Sequence, residues 1–283
     1  MSARSQSQSR SQSQSQSQSQ PRTRTRGHEA KDITRRTALE RAAAALAIGA
    51  LATTASGHPA AAATTDADSS ALPASVAGIR VPDTRLARDT AAFVREASSP
   101  ALFRHVLRTY LFGALLLDRR GVRYDRELAF VAAALHDLGL VEAYRTPTER
   151  FEVDGADAAR RFLRGRRVPA DRVAVVWDAI ALHTNAGIAA RKSPEIALVS
   201  LGSGLDFTGN GLDEIEPDAL AEVLTAFPRD GFTQEALDTI LSLCRTKPLS
   251  VLMHPFAEVG RRHLPGFPVP TLEDLLLAAP FAD

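Results

Sequence analysis

Beyond residue 83 the apolar residues recur at three- and four-residue intervals, and each run is bounded by a capping residue or a proline. Asp83 is placed to cap a helix running to about Ala97. Ser98-Ser99-Pro100 opens the next, with Pro in its first turn and Leu102, His105, Val106, Thr109, Phe112, Gly113 and Leu116 on one face. Asp125 caps a helix whose inward residues Leu128, Val131, Ala132 and Leu135 lead to His136-Asp137, with Gly139 where a C-cap glycine belongs. A polar loop over Leu140 to Phe151 precedes a helix from about Asp154 to Arg164. Asp171 starts another, in which His183 continues the stripe Val173, Val176, Trp177, Ile180. Ser193-Pro194-Glu195 opens a helix where Val199, Gly202 and Asp206 share a face, and the small Gly202-Ser203-Gly204 lets a neighbour approach closely. Shorter helices follow from Glu216-Pro217-Asp218 to Ala226, from a cap at Thr233 to Lys247, near Pro255 to His263, and from Thr271 to Ala278. No alternating strand pattern stands out. The fold class is all-α, an irregular helical bundle.

The first part of the chain reads differently. Ser5 to Gln20 is a Ser-Gln repeat with no apolar residue to bury, so 1–34 is expected as a disordered Ser/Gln/Arg-rich leader. Thr34-Arg35-Arg36-Thr37-Ala38-Leu39, the apolar run Ala42 to Ala52 and the small residues up to Ala63 have the order of a signal peptide. Arg35-Arg36 with Leu39 resembles a twin-arginine export signal, from which Ala38 and Glu40 depart. The apolar run falls short of the roughly 20 residues that a membrane span needs. The expectation is therefore a signal peptide over 35–63, cleaved near Ala61 to Ala63, and export to the periplasm or the exterior; without a working signal the protein stays cytoplasmic. No stable membrane span remains after cleavage. Residues 64–82 are expected as a linker and 83–283 as the folded domain.

Charge divides along the same line. Residues 1–63 hold nine basic and three acidic side chains, against 25 and 30 in the remainder, so a leader of net +6 precedes a domain of net −5. An acidic domain argues against a nucleic-acid partner. The single cysteine, Cys244, excludes an internal disulfide and reads as a small core residue beside Ile240 and Leu241. Nothing in the pattern sets the oligomeric state.

Five polar residues interrupt the apolar faces: His105, His136, Asp137, His183 and Asp206. Left unpaired there, each costs a few kcal/mol. A His-Asp dipeptide at a helix end is commonly only a cap with a surface carboxylate. Three of the five histidines beyond residue 63 belong to this set, however, and one shared divalent metal satisfies all five groups together.

The order His … His-Asp … Asp on a helical scaffold resembles the HD metal-dependent hydrolase superfamily. His105-Val106-Leu107-Arg108-Thr109-Tyr110, Leu135-His136-Asp137-Leu138-Gly139, Phe151-Glu152-Val153-Asp154-Gly155-Ala156, Leu182-His183-Thr184 and Gly204-Leu205-Asp206 are similar to its cyanamide hydratase-like branch, over about Pro82 to Gly266. The resemblance implies metal ligands at His105, His136, Asp137 and Asp206. It leaves His183 three roles: a group behind the ligands, a substrate contact, or a ligand in place of Asp206. It implies one divalent metal, zinc favoured, with iron or manganese as alternatives. Asp137 would also orient the attacking water, and His183 with Thr184 would move a proton. Arg108 is expected to orient the site or pair with Asp137, or else to form a structural ion pair. Glu152 and Asp154 are either ligands of a second metal or helix caps.

The implied reaction on a small-molecule substrate is addition of water to a nitrile such as cyanamide, giving urea. The alternative is an HD phosphohydrolase acting on a phosphomonoester, nucleotide or phosphodiester, with Arg104, Arg108, Arg145 and Lys247 as possible phosphate contacts. A second alternative is a non-catalytic, metal-stabilised binding protein.

Overall fold

The computed structural model describes residues 71–281. The expected leader, signal peptide and first residues of the linker lie outside the described residues. A two-residue antiparallel hairpin, β1 (Ser75–Val76) and β2 (Ile79–Arg80), comes first. The remaining elements are α1 (Arg85–Ala97), α2 (Pro100–Arg119), α3 (Arg126–Leu135), α4 (Phe151–Gly165), α5 (Ala170–Leu182), α6 (Ala186–Ala189), α7 (Pro194–Thr208), α8 (Pro217–Ala226), α9 (Phe232–Thr246), α10 (Phe256–His263) and α11 (Leu272–Leu277). The all-α expectation holds. Among the described residues, no helix is long and apolar enough to cross a membrane.

The described part of the expected linker is not a tether. Val76, Ile79 and Val81 are buried in the main core, because the hairpin turns its apolar residues onto the helices. The Tyr110 hydroxyl donates to Arg80 O at 2.9 Å, which ties this segment to α2. Strand alternation over two residues is too short to register as a pattern.

Several helix starts differ from expectation for local reasons. Thr84, not Asp83, caps α1: its hydroxyl accepts from Ala87 N–H at 3.1 Å, while Asp83 pairs with Arg88 at 2.7 Å. α4 begins at Phe151 with Arg150 as its N-cap, so Glu152 and Asp154 sit inside the first turn with buried side chains. α9 is preceded by Gly231 at φ 72°, which turns the chain into the helix ahead of Thr233. Ser99 and Asp125 cap α2 and α3 as the sequence suggests.

The central packing is α2 against α7, with α3, α4 and α5 around them. A Cβ on Gly202 would lie 1.9 Å from Thr109 O, so the two helix backbones touch there. Gly204, by contrast, faces open space. Gly139 is not a left-handed C-cap. The cap of α3 is His136, and the chain continues into a 3-10 turn over Leu138–Leu140. A Cβ on Gly139 would lie 1.9 Å from Phe151 O, so this glycine lets the His136-Asp137 turn press against the start of α4. A smaller core of Ile240, Cys244, Val251, Ala257 and Val269 joins α9 and α10. The buried Cys244 behaves as the small core residue expected.

Candidate metal centre

The site is built where three helices end or pass with buried polar groups. His105 lies in the second turn of α2; His136 and His183 are the C-caps of α3 and α5, followed by Asp137 and Thr184. His105, His136, Asp137 and His183 are all buried. His105 Nε2 and His136 Nε2 each stand 3.3 Å from Asp137 Oδ2, and His183 Nε2 stands 3.7 Å from Asp137 Oδ1. His105, His136 and Asp137 offer ligand atoms within 4.8 Å of one another.

The far ring nitrogens explain why these three point the same way. His136 Nδ1 is 2.8 Å from Ala133 O and His183 Nδ1 is 2.7 Å from Ile180 O. A carbonyl only accepts, so each Nδ1 carries a hydrogen and Nε2 is the nitrogen left to offer a lone pair to a metal. His105 Nδ1 is held at 2.6 Å by Asp206 Oδ2, which fixes the same tautomer. Three imidazole Nε2 atoms thus converge on one carboxylate. His136 Nε2 is buried with no hydrogen-bond partner. An orphaned acceptor beside an anion is the arrangement that a cation relieves, and imidazole nitrogens with a carboxylate oxygen suit a divalent metal. The donor set fits the implied metal.

Electrostatics follow the same geometry. Burial alone would raise the Asp137 carboxyl, but without a metal His136 and His105, in their protonated, donating form, hold it well below the usual range. Burial lowers His105, yet its contacts with Asp137 and Asp206 outweigh this and leave it raised. Burial, then the neighbouring His136, bring His183 down to about 4, so it is neutral and ready to ligate near pH 7.

Asp206 is not brought into the converging set. It lies behind His105, on the opposite edge of the ring from Nε2. Its oxygens are taken by Arg108 Nε and Nη2, both at 2.8 Å, and by Arg229 Nη1 at 2.8 Å. Arg108 is fully buried and also donates to Phe227 O and Pro228 O, so it grips Asp206 rather than Asp137 and does not face the site. Burial would raise Asp206, but His105 and Arg108 hold it well below its ordinary value. Thr184 also turns away: its hydroxyl donates to Glu152 Oε1 at 2.7 Å. Glu152 further meets Arg150 at 2.6 Å and His254 Nε2 at 3.2 Å. Asp154 is paired with Lys247 at 2.5 Å and with Thr146. Neither Glu152 nor Asp154 is a helix cap, and neither joins the three histidines.

His105 and Asp137 open onto a cavity of about 190 Å³. Leu102, Leu140, Phe207, Phe232, Ala236, Ile240 and Phe256 form its apolar walls, and Ser99, Glu235 and Thr239 add polar groups. Phe232 stacks on the His105 ring at 4.7 Å between centroids. These wall residues of α9 and α10 had no signal in the sequence beyond ordinary amphipathic spacing. Nor had His254, which ends a turn between elements.

Residues 102–226 match the family model of the HD domain. This match supports placement of that segment in the HD superfamily. Together with the His-His-Asp cluster it supports a metal-dependent hydrolase that takes a divalent ion. No curated protein matches the chain. The HD segment contains all five expected site residues, whereas Phe232, Glu235, Thr239 and Phe256 lie beyond it.

Proposed function

We propose that this protein adds water to a small, uncharged, electrophilic substrate, with a nitrile such as cyanamide as the favoured class. The observation that carries this reading is the cavity itself: a histidine–aspartate floor, apolar walls and no cationic side chain in the lining. At about 190 Å³ it is smaller than the ~300–1,000 Å³ of most drug-sized ligand pockets. His105, His136, His183 and Asp137 would hold a single divalent ion, zinc in the favoured case. Bound there, the ion supplies water of lowered pKa near neutral pH.

The chain's own residues do the rest. The Asp137 carboxylate stays ionised and accepts a proton or orients the attacking water by hydrogen bonding. Asp206, locked by Arg108 and Arg229, holds His105 in one tautomer and orientation. Phe232, Leu102 and Ile240 exclude bulk water from the reacting carbon.

Phosphate-ester hydrolysis is the weaker reading, because none of Arg104, Arg108, Arg145 and Lys247 lines the cavity. Arg108 is spent on Asp206, Lys247 on Asp154, Arg104 on Asp230 O and Arg145 on Ser242 and Leu140 O. The test is an assay of the zinc-loaded full chain for urea from cyanamide, beside nucleotides and phosphomonoesters. Urea formation is expected; phosphate release without urea would reverse the order. A His136→Ala variant should lose metal and turnover together.

Export is the companion proposal, supported by Arg35-Arg36 and the apolar run that follows. N-terminal sequencing of the protein from its native cell should begin after Ala61; an intact Met1 on the soluble protein would overturn it.

A further inference from the structure

Residues 227–232 follow the HD segment directly and are stitched, one after another, to α2 and to Asp206. Arg108 donates to Phe227 O at 3.2 Å and to Pro228 O at 2.9 Å. Arg229 Nη1 donates to Asp206 Oδ1 at 2.8 Å and to the Asp206 backbone carbonyl. Arg104 Nη2 donates to Asp230 O at 3.3 Å. Gly231, at φ 72°, then turns the chain, and the buried Phe232 lays its ring on His105. The two rings lie 4.7 Å apart between centroids and 20° from parallel. The Arg108 and Arg229 guanidiniums stand 5.3 and 4.8 Å from the centroid of the Phe232 ring, within cation–π range. The two arginines that fix Asp206 thus also fix Phe232.

The hydrogen bond from His105 Nδ1 to Asp206 holds one edge of the imidazole. Alone it would let the ring pivot about that contact and swing Nε2 away from Asp137. A flat apolar face at stacking distance stops the pivot. We infer that residues 227–232 are a strap that positions His105 for the metal, with Phe232 as the positioning residue that sets the plane of its ring. This deepens the metal-centre reading and rests on it. A ring already held in place loses less freedom when the ion binds. The strap lies outside 102–226, so the HD segment does not by itself orient its first ligand.

Zinc affinity by chelator competition and the visible absorption bands of the Co2+-loaded protein, both on the full chain, test this. Phe232→Leu keeps an apolar side chain at the start of α9 but removes the flat face. It should weaken zinc binding about three- to tenfold and alter the Co2+ bands, which report ligand geometry. Phe232→Tyr restores the face and should recover the wild-type affinity and bands. Leu243→Ala separates positioning from stability, since it removes buried packing about 16 Å further along α9. It should lower Tm and leave zinc affinity and the Co2+ bands as in wild type. Wild-type affinity and bands in Phe232→Leu overturn the inference, as does an equal loss in Leu243→Ala or a loss that Phe232→Tyr does not repair. Arg229→Gln, at a side chain 35% exposed, serves if Phe232→Leu does not fold, and unchanged Co2+ bands there overturn the strap. A wild-type protein that takes up neither ion overturns the metal centre and the strap together. Metal uptake with the expected losses, but no urea from cyanamide, upholds the strap and sinks the water-addition reading alone.

Discussion

Asp206 Oδ2 meets His105 at Nδ1, 2.6 Å away, and so leaves Nε2 of the same ring to face Asp137. One carboxylate that lies fourth in the linear order thus acts from behind the histidine that lies first. The distinction between holding a ligand and being one has measurable consequences.

Replacing Asp206 by Asn should weaken metal binding by about 10–100-fold without abolishing it, the usual effect of losing a partner behind a ligand. The same change strips the buried Arg108 of its counter-charge, at a cost of about 3–5 kcal/mol in stability. Chelator competition and thermal unfolding measure the two effects. If Asp206→Asn loses metal as completely as His136→Ala does, Asp206 belongs among the ligands.

His183 should behave in the opposite way. His183→Ala removes one of the three converging nitrogens, so its metal affinity should fall with that of His136→Ala, beyond the range expected for Asp206→Asn. Apo-protein stability should change less than in Asp206→Asn, because no buried charge is left unpaired. Elemental analysis after dialysis gives the occupancy. Full occupancy in His183→Ala would leave that ring as a substrate contact.

Metal removal gives an independent reading of the site. Binding to the folded state alone stabilises it by about 2.7 kcal/mol at a free concentration one hundred times Kd. Chelation should lower Tm in the wild-type protein and leave Tm of His136→Ala unmoved. Equal shifts in both would place the stabilising ion elsewhere.

Glu152 sets an acid limit. Burial pushes its carboxyl up, but His254, Arg150 and Thr184 outweigh that and hold it well below the ordinary value. A carboxylate depressed in the folded state binds its proton first in the unfolded chain. Its contribution is complete above the unfolded value of about 4.3 and is lost as pH falls below that toward the folded value. Urea denaturation between pH 7 and pH 3 should show a shallower acid decline in Glu152→Gln than in wild type. Identical slopes would remove Glu152 from the acid response.

Close approach can be tested with single methyl groups. Gly202→Ala and Gly139→Ala each place a Cβ 1.9 Å from a carbonyl oxygen and should cost about 1–3 kcal/mol or more as backbones move apart. Gly139→Ala should also weaken metal binding, since the displaced turn carries His136 and Asp137. Gly204→Ala, facing open space in α7, should be stabilising by about 0.4–1 kcal/mol. A neutral Gly202→Ala would show that α2 and α7 part more easily than their contact suggests.

Much of this was legible in the chain. Periodic apolar runs locate the helices, and Ser99 and Asp125 announce two of their starts. The dipeptide His136-Asp137, with His105 and His183 on inward faces, announces the centre. The contact of Asp206 with His105 Nδ1 was not legible, because helical spacing says which face a carboxylate occupies but not which edge of a ring it meets. Gly139 misled for a related reason: a glycine after a helix serves either a left-handed turn or close packing, and only the position of α4 decides. His254 and Glu152 are a hundred residues apart, and nothing local to either signals their contact.

The residues that would hold the proposed ion all lie within 102–226, while Glu235, Phe232 and Phe256 stand on helices that follow. On the proposed reading, activation of water would rest on residues within 102–226, and choice of substrate in part on cavity walls that follow it. Substitutions on α9 and α10 beyond Phe232 can retune what enters the cavity while the metal ligands stay as they are. New specificities should accordingly be reached by changing a few positions after residue 226, without rebuilding the centre.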